Sequence, residues 1–309
     1  MDKNNKIKII FGQNIFEHHV DNSEYGEYID LQELLRVSRE KKDKKNGKKL
    51  SIIIEKYSNI KIYDKIVLQG QELEHVPPRL QGGEIEYIVK PGGQLIYLYD
   101  PQVFIKKNSN DKKRIFTRRF ILEGASKLSG VLWLTDSDTI HSDIEVSLVG
   151  KKAEAIINGV YIAAKEQNIS LVTKQKHLEK ETHSRVVING ICADNAHITY
   201  AAKLFVAKNA SGAKAIQKNK TILFGNKTIV SSLPEMEVLN NDVACTHGCA
   251  VGQLDEQKIF YLKSRGLGDA QAKALLIESF FIGLLHSLDD ENIKKGLSER
   301  IKLKMGQVL

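Results

Sequence analysis

Residues 144–206 read IEVSLVGKKAEAIINGVYIAAKEQNISLVTKQKHLEKETHSRVVINGICADNAHITYAAKLFV. Short apolar runs follow one another closely: Ile144–Val149, Ile156–Ala163, Ile169–Val172, Val186–Ile188, Ala196–Tyr200 and Lys203–Val206. Apolar and polar residues alternate within them as in half-buried strands, and they are rich in Ile, Val and Tyr, which suit a pleated surface. Asn158-Gly159 and Asn189-Gly190 read as turns between strands.

The pattern extends outward in both directions. Upstream lie Leu50–Ile54, Ile60–Tyr63, Ile85–Val89 and Leu95–Tyr99; downstream lie Thr221–Phe224 and Glu237–Leu239. Pro91-Gly92-Gly93 and Gly225-Asn226 supply further turns. Residues 51–252 therefore read as a continuous run of short strands without a helical interruption. A sandwich needs roughly 100 residues, so two would have to fit here. A solenoid suits a long, evenly paced run because each rung buries its apolar face on the next. No strict short repeat is visible, so a solenoid would be irregular, and pattern alone leaves sandwich, barrel and solenoid open.

The flanks differ. Residues 1–50 read as a short mixed segment, with a strand at Ile7–Phe11, helical turns at Asp30–Val37 and an exposed basic loop at Lys41–Lys49. Residues 253–309 read as a C-terminal helical domain. Asp255 caps a first helix that stops at Gly266, Asp269 caps a second, and Asp289 or Asp290 opens a third. The second helix is apolar on more than one face, notably at Phe280-Phe281-Ile282, which suits packing on the β-body and an apolar face for a partner equally well.

Composition narrows the function. The net charge of +8 suggests an acidic partner such as nucleic acid. Two runs carry it: Arg36–Lys49 has eight basic and two acidic residues, and Lys106–Arg119 has seven and one. Both read as solvated loops, and the first, Lys41–Lys49, has no interleaved aromatics to stack on bases. No stretch approaches about 20 apolar residues, so no transmembrane helix is expected, and Met1-Asp2-Lys3-Asn4-Asn5 does not lead into a secretory apolar region. Three cysteines are too few, and odd in number, for a disulfide framework, which fits a cytoplasmic protein. Signatures of the forms GxxxxGK[ST], GxGxxG, GxSxG and HExxH are absent.

The best chemical cluster is Asn240-Asn241-Asp242-Val243-Ala244-Cys245-Thr246-His247-Gly248-Cys249-Ala250-Val251-Gly252. On a strand Cys245, His247 and Cys249 point the same way. Thiolate and imidazole suit zinc, iron and iron–sulfur species. Residues i and i+4 lie about 13 Å apart on a strand, however, too far to share one ion unless Gly248 bends the chain. A closed site would need ligands from elsewhere, and a second chain is one candidate. A buried cysteine used only for packing is the plain alternative. Cys192 reads as core. Asp136 and Asp138 beside Trp133 weakly suggest a carboxylate pair for glycosidic chemistry.

From Pro234-Glu235-Met236-Glu237-Val238 through Asp242–Gly248, Val251-Gly252-Gln253-Leu254-Asp255 and Phe260–Gly266, the sequence closely resembles the C-terminal core of the SufB/SufD family of SUF iron–sulfur cluster assembly proteins. His183-Ser184-Arg185 and Ala210–Asn219 continue the resemblance, which covers roughly residues 140–285. It is most like SufD: the Cys-Thr-His-Gly block is followed by Val-Gly-Gln-Leu-Asp, and Gln217–Leu223 lacks the cysteine of SufB-type chains.

The resemblance implies a mainly β protein, a right-handed parallel β-helix with a C-terminal α-helical domain. It implies a non-catalytic subunit that pairs with a SufB-like scaffold and docks a SufC-like ATPase on the C-terminal helices, with Tyr261, Arg265, Phe280 and Phe281 as docking candidates. His247 matches the family's interface histidine, a metal or cluster ligand shared with the partner chain, and Cys245 matches the cysteine two residues before it. No cofactor is expected on the isolated chain. A transient iron–sulfur cluster at the partner interface, flavin in the complex and a homodimer in isolation are all compatible, whereas nucleic acid and membrane are not expected partners. The chain reads as short for the family at its N-terminus, and Cys249 stands where the family often has a small residue. The competing readings are a β-solenoid enzyme acting on carbohydrate through Asp136 and Asp138, and a nucleic-acid binder using the basic loops.

Overall fold

A computed structural model of the chain describes residues 5–11, 14–20, 29–31, 50–69, 83–104, 115–286 and 291–308. The strands are β1 (Asn5–Phe11), β2 (Asn14–Val20), β3 (Ile29–Asp30), β4 (Leu50–Ile54), β5 (Asn59–Gln69), β6 (Gly83–Val89), β7 (Gln94–Phe104), β8 (Ile115–Leu122) and β9 (Lys127–Leu134). They continue as β10 (Thr139–Leu148), β11 (Glu154–Ala163), β12 (Asn168–His177), β13 (His183–Ala193), β14 (His197–Val206), β15 (Ala213–Phe224), β16 (Ile229–Val238) and β17 (Val243–Gln253). Three helices follow, α1 (Glu256–Ser264), α2 (Asp269–His286) and α3 (Glu291–Val308).

From β4 onward, successive strands go to alternate sheets. Even-numbered strands β4 to β16 pair in parallel in one sheet, which ends in the antiparallel β1 and β2; odd-numbered strands β3 to β17 form the other. Each turn lays two strands on the preceding two. This is a β-solenoid with C-terminal helices, and it resolves the choice that the strand pattern left open.

The repeat lies in the backbone, not in residue identity. One series of corner residues is left-handed: Tyr57, Gly92, Ala125, Lys152, Glu181 and Gly212, at intervals of 27 to 35 residues; Lys165, Asp194 and Gly225 form a second series at the other corner of the later turns. Non-glycine residues cost about 1–2 kcal/mol in that conformation. A ladder of hydrogen bonds between successive corners holds them there: Ala125 N to Lys151 O at 2.9 Å, Lys152 N to Lys180 O at 3.2 Å and Glu181 N to Ser211 O at 2.9 Å.

Two of the expected turns are strand interiors. Gly159 and Gly190 lie within β11 and β13. Any Cβ on Gly190 would strike the Tyr161 ring, which leans across it. Glycine is there because the ring needs the space. Asp30 belongs to β3 rather than to a helical turn, and residues 32–37 lie outside the described set, as does the 36–49 basic run. In the second basic run, residues 106–114 lie outside it as well, and Arg118 is no surface residue: it is wholly buried, with Nε 2.5 Å from Asp64 Oδ2.

A second core forms outside the solenoid. Val131, Trp133, Val160, Ile162 and Ile191 face outward from β9, β11 and β13, and Ile277, Phe281 and Leu284 of α2 with Ile293, Leu297, Ile301 and Met305 of α3 cover them. These strands are buried on both faces there, which explains their near-continuous apolar runs. Asp255 caps α1 by accepting from Gln257 N and Lys258 N, and Gly266 follows its C-terminus with φ +94°, both as expected. Helix α2 begins at Asp269 itself, so that residue is its first helical position rather than its cap. Asp289 and Asp290 lie outside the described residues.

Helix α3 is clamped electrostatically. Arg300 makes a bidentate contact with the buried Asp100 (2.8 and 3.1 Å), pairs with Asp136 and stacks over Trp133 at 4.7 Å. Lys304 reaches Asp136 at 2.9 Å. Replacing Arg300 with alanine leaves the Asp100 carboxylate buried with a single hydrogen bond, from Tyr63, among its side-chain partners apart from the distant Gln102 (3.4 Å). The expected cost is roughly 3 kcal/mol, read as a lower urea midpoint and faster proteolysis within residues 291–308. An unchanged midpoint would rule the clamp out as a stabilising contact.

Candidate functional site

The solenoid ends at β16 and β17, the last strands of their sheets. Among the described residues nothing lies on them, so both present an unpaired edge. Register gives the inner face. Ala215, Gln217, Asn219 and Thr221 of β15 are buried at alternate positions and pair with Cys245, His247, Cys249 and Val251 of β17. On the facing strand, Leu204 and Val206 of β14 pair with Met236 and Val238 of β16. The terminal rung thus carries inward-facing residues with no rung above: Met236 is 41% exposed and Val251 likewise, and His247 and Cys249 are exposed. Cys245 is half-buried against Leu204, Val206 and Ala215.

The sequence reading placed Cys245, His247 and Cys249 on one face, and the register puts them together on the inner face of the last strand. They do not converge. Among the described residues no group of three His, Cys, Asp or Glu side chains could hold a metal ion. Burial pushes the Cys245 thiol up, partly offset by a backbone hydrogen bond from Ala215, so on this chain alone it is a poor thiolate. Cys192 is wholly buried, its thiol pushed up to about 11 by burial, as befits a core residue.

A polar layer lies beneath the open end, and the sequence reading missed it. Tyr161 reaches past Gly190 to Thr221, and its hydroxyl accepts from Asn219 Nδ2 at 3.0 Å. Ser232 Oγ donates across the interior to Asn219 Oδ1 at 3.0 Å, and Cys249 Sγ lies 3.9 Å from the same oxygen. Deeper, Thr182 donates to Glu179 O, so its hydroxyl oxygen accepts from His177 Nδ1 at 2.8 Å. Ser184 then donates to His177 Nε2 at 2.7 Å and accepts from Gln175 Nε2 at 2.7 Å. This chain assigns a neutral His177 protonated on Nδ1. The only signal for this layer in the sequence was polar residues at inward positions of the last strands.

The other candidates separate cleanly. Tyr261 is 56% exposed on α1, with Arg265 over its ring at 5.3 Å, and Phe260 beside it is 75% exposed. Phe280 is half-buried, and Phe281 is wholly buried against the solenoid, so Phe281 offers no face to a partner. Asp136 is no catalytic acid. Burial favours its neutral form, but hydrogen bonds from Lys304, Thr135 and Arg300 outweigh that and hold the carboxyl well below the usual range. It stays ionised as part of the helix clamp, whereas Asp138 is exposed, so the glycosidic reading loses its acid. No helix among the described residues is long and apolar enough to cross a membrane.

Together these features define a class: a parallel β-solenoid flanked by C-terminal helices, whose uncapped end carries thiols and an imidazole on its inner face. The chain belongs to the family of the SUF system FeS cluster assembly, SufBD core domain, which matches residues 37–280. It is 27% identical to the iron–sulfur cluster assembly protein SufD of Escherichia coli over 186 residues, 60% of this chain and 41% of that protein. It is 25% identical to SufB of Bacillus subtilis over 201 residues, 65% of this chain and 42% of that one. A SufBD family protein of Mycobacterium leprae is 24% identical over 220 residues, 59% of this chain and 56% of the relative. The chain thus spans about half the length, or less, of these relatives.

Burial and the nearby His183 lower the His177 pKa to about 4, against about 6.5 when unfolded. The unfolded chain binds the extra proton between those values, so this group's stabilisation is complete above pH 6.5 and lost as pH falls towards 4. At pH 5 the loss is about 2 kcal/mol. Urea unfolding at pH 7.5 and pH 5 should show a gap narrowed by that amount in His177→Gln, and an unaltered gap would mean that His177 is not held neutral.

Proposed function

We propose that this chain is a SufD-type, non-catalytic subunit of the SUF iron–sulfur assembly machinery. It pairs with a SufB-like scaffold at the open end of its solenoid and docks a SufC-like ATPase on its C-terminal helices. The observation that carries this reading is the register of the last strand: Cys245, His247 and Cys249 face inward where no further rung covers them. An unpaired sheet edge with apolar inward residues is suited to extension by another chain's strands. Three potential ligands that cannot close a site alone suit one completed across an interface.

In this arrangement His247 is the chain's contribution to the shared site, with Cys245 beside it. The iron–sulfur cluster is cargo assembled between chains, not a resident cofactor. Cys249 adds a thiol at the rim. Docking of the ATPase falls to the exposed Phe260, Tyr261 and Arg265 of the α1 region, with Phe280 and Phe281 holding α2 in place from below. When the scaffold is absent, two open ends can pair with each other. Flavin in the complex is compatible with this assignment, though no residue here is assigned to it.

Co-expression with SufB-like and SufC-like chains should give a three-component complex. His247→Ala should leave that complex intact while lowering the iron and sulfide it carries by about tenfold or more. Full cluster content in the variant, or failure of the chains to associate, would overturn the reading.

A further inference from the structure

The residue directly beneath His247 is an anomaly. Gln217 is 1% exposed, it faces the interior, and neither its Oε1 nor its Nε2 has a hydrogen-bond partner. Its neighbours are well served. Asn219 is held by Tyr161, Ile188 O and Ser232, and His177 by Thr182 and Ser184. Gln175 uses its amide nitrogen and leaves only Oε1 unpaired. An amide kept dry and unpaired costs more than an apolar side chain of the same size, so such a group calls for an explanation.

The register supplies one. Gln217 and His247 are direct Cα partners on adjacent parallel strands, about 4.8 Å apart, with side chains on the same face. An imidazole that binds a metal usually donates its other ring N–H to an acceptor that fixes the ring's orientation. His247 is exposed, and no hydrogen bond to its ring occurs among the described residues. The acceptor it lacks lies one strand below, unused.

We propose that Gln217 is a positioning residue for His247. When a partner chain covers the open end, the ring turns inward and donates one N–H to Gln217 Oε1, and its other nitrogen faces the shared cluster. This rests on His247 serving a cluster-assembly interface. It adds the residue that orients the ring, and it gives the orphan Oε1 of Gln217 a partner.

The test uses the co-expressed complex and the full chain, with Gln217→Leu, Gln217→Glu and His247→Ala. Gln217→Leu removes the orphan amide, so the melting temperature of the isolated chain should hold or rise by a few degrees. The complex should still assemble, and its iron and sulfide should fall about tenfold. Gln217→Glu keeps the acceptor and should restore at least half of that content. Three results overturn the proposal. Full content in Gln217→Leu beside depleted His247→Ala removes Gln217 and leaves the proposed function standing. Full content in His247→Ala removes both. A lowered melting temperature in Gln217→Leu, with no recovery in Gln217→Glu, means that the residue is structural.

Discussion

The inward register of the rungs is the constraint on which the rest depends. Each strand must return to the same alternation as the strand beneath it, because a slip of one residue would turn every apolar side chain outward. The corners enforce this return. Left-handed residues before β7, β9, β11, β13 and β15, each bonded through its amide to a carbonyl at the next corner, fix where those strands begin. The conformational cost at Ala125, Lys152 and Glu181 is met by that ladder, and the stacked interior from Ile7 to Ala202 follows as one continuous core.

A solenoid built by this rule has no natural stopping point. Each rung buries the one before, so the last leaves its own inner residues bare. At the N-terminal end the antiparallel β1 and β2 finish the even-numbered sheet. At the other end β16 and β17 are edges among the described residues, with Met236, Val238 and Val251 exposed. Helices α2 and α3 do not cover that end; they spend their apolar faces on the flank of the odd-numbered sheet, through Phe281, Leu297 and Trp133. The exposed end is therefore a consequence of where the helices pack, and Cys245, His247 and Cys249 stand on it.

Much of this was legible in the sequence, and the parts that were not share a cause. Alternation located the strands, Asp255 and Gly266 the ends of α1, and the spacing of Cys245, His247 and Cys249 their common face. Information carried by distant residues was invisible. Asn189-Gly190 looks like a turn because only Tyr161, a rung below, reveals why the glycine is needed. Asp136 looks like a catalytic acid because its partners Arg300 and Lys304 lie some 160 residues away. The corner repeat escaped because it is written in φ angles that Tyr, Ala, Lys, Glu and Gly share. The pairing of Gln217 with His247 needed the register, which no local pattern states.

Under the proposed pairing, a site at the end of a solenoid is suited to assembling a cluster rather than keeping it. A tetrahedral site needs four ligands held in fixed geometry, and a strand places alternate side chains about 6.6 Å apart along one line. No single terminal strand can place four such ligands around one metal, and under the proposed pairing the facing chain supplies the rest. Under the proposed pairing, any movement that separates the two ends dismantles the ligand set at once. An interface that can open offers a route to release that a closed four-ligand site in one core does not. The price is an end rich in exposed apolar residues and an unpaired amide, both tolerable only if that end spends its working life covered.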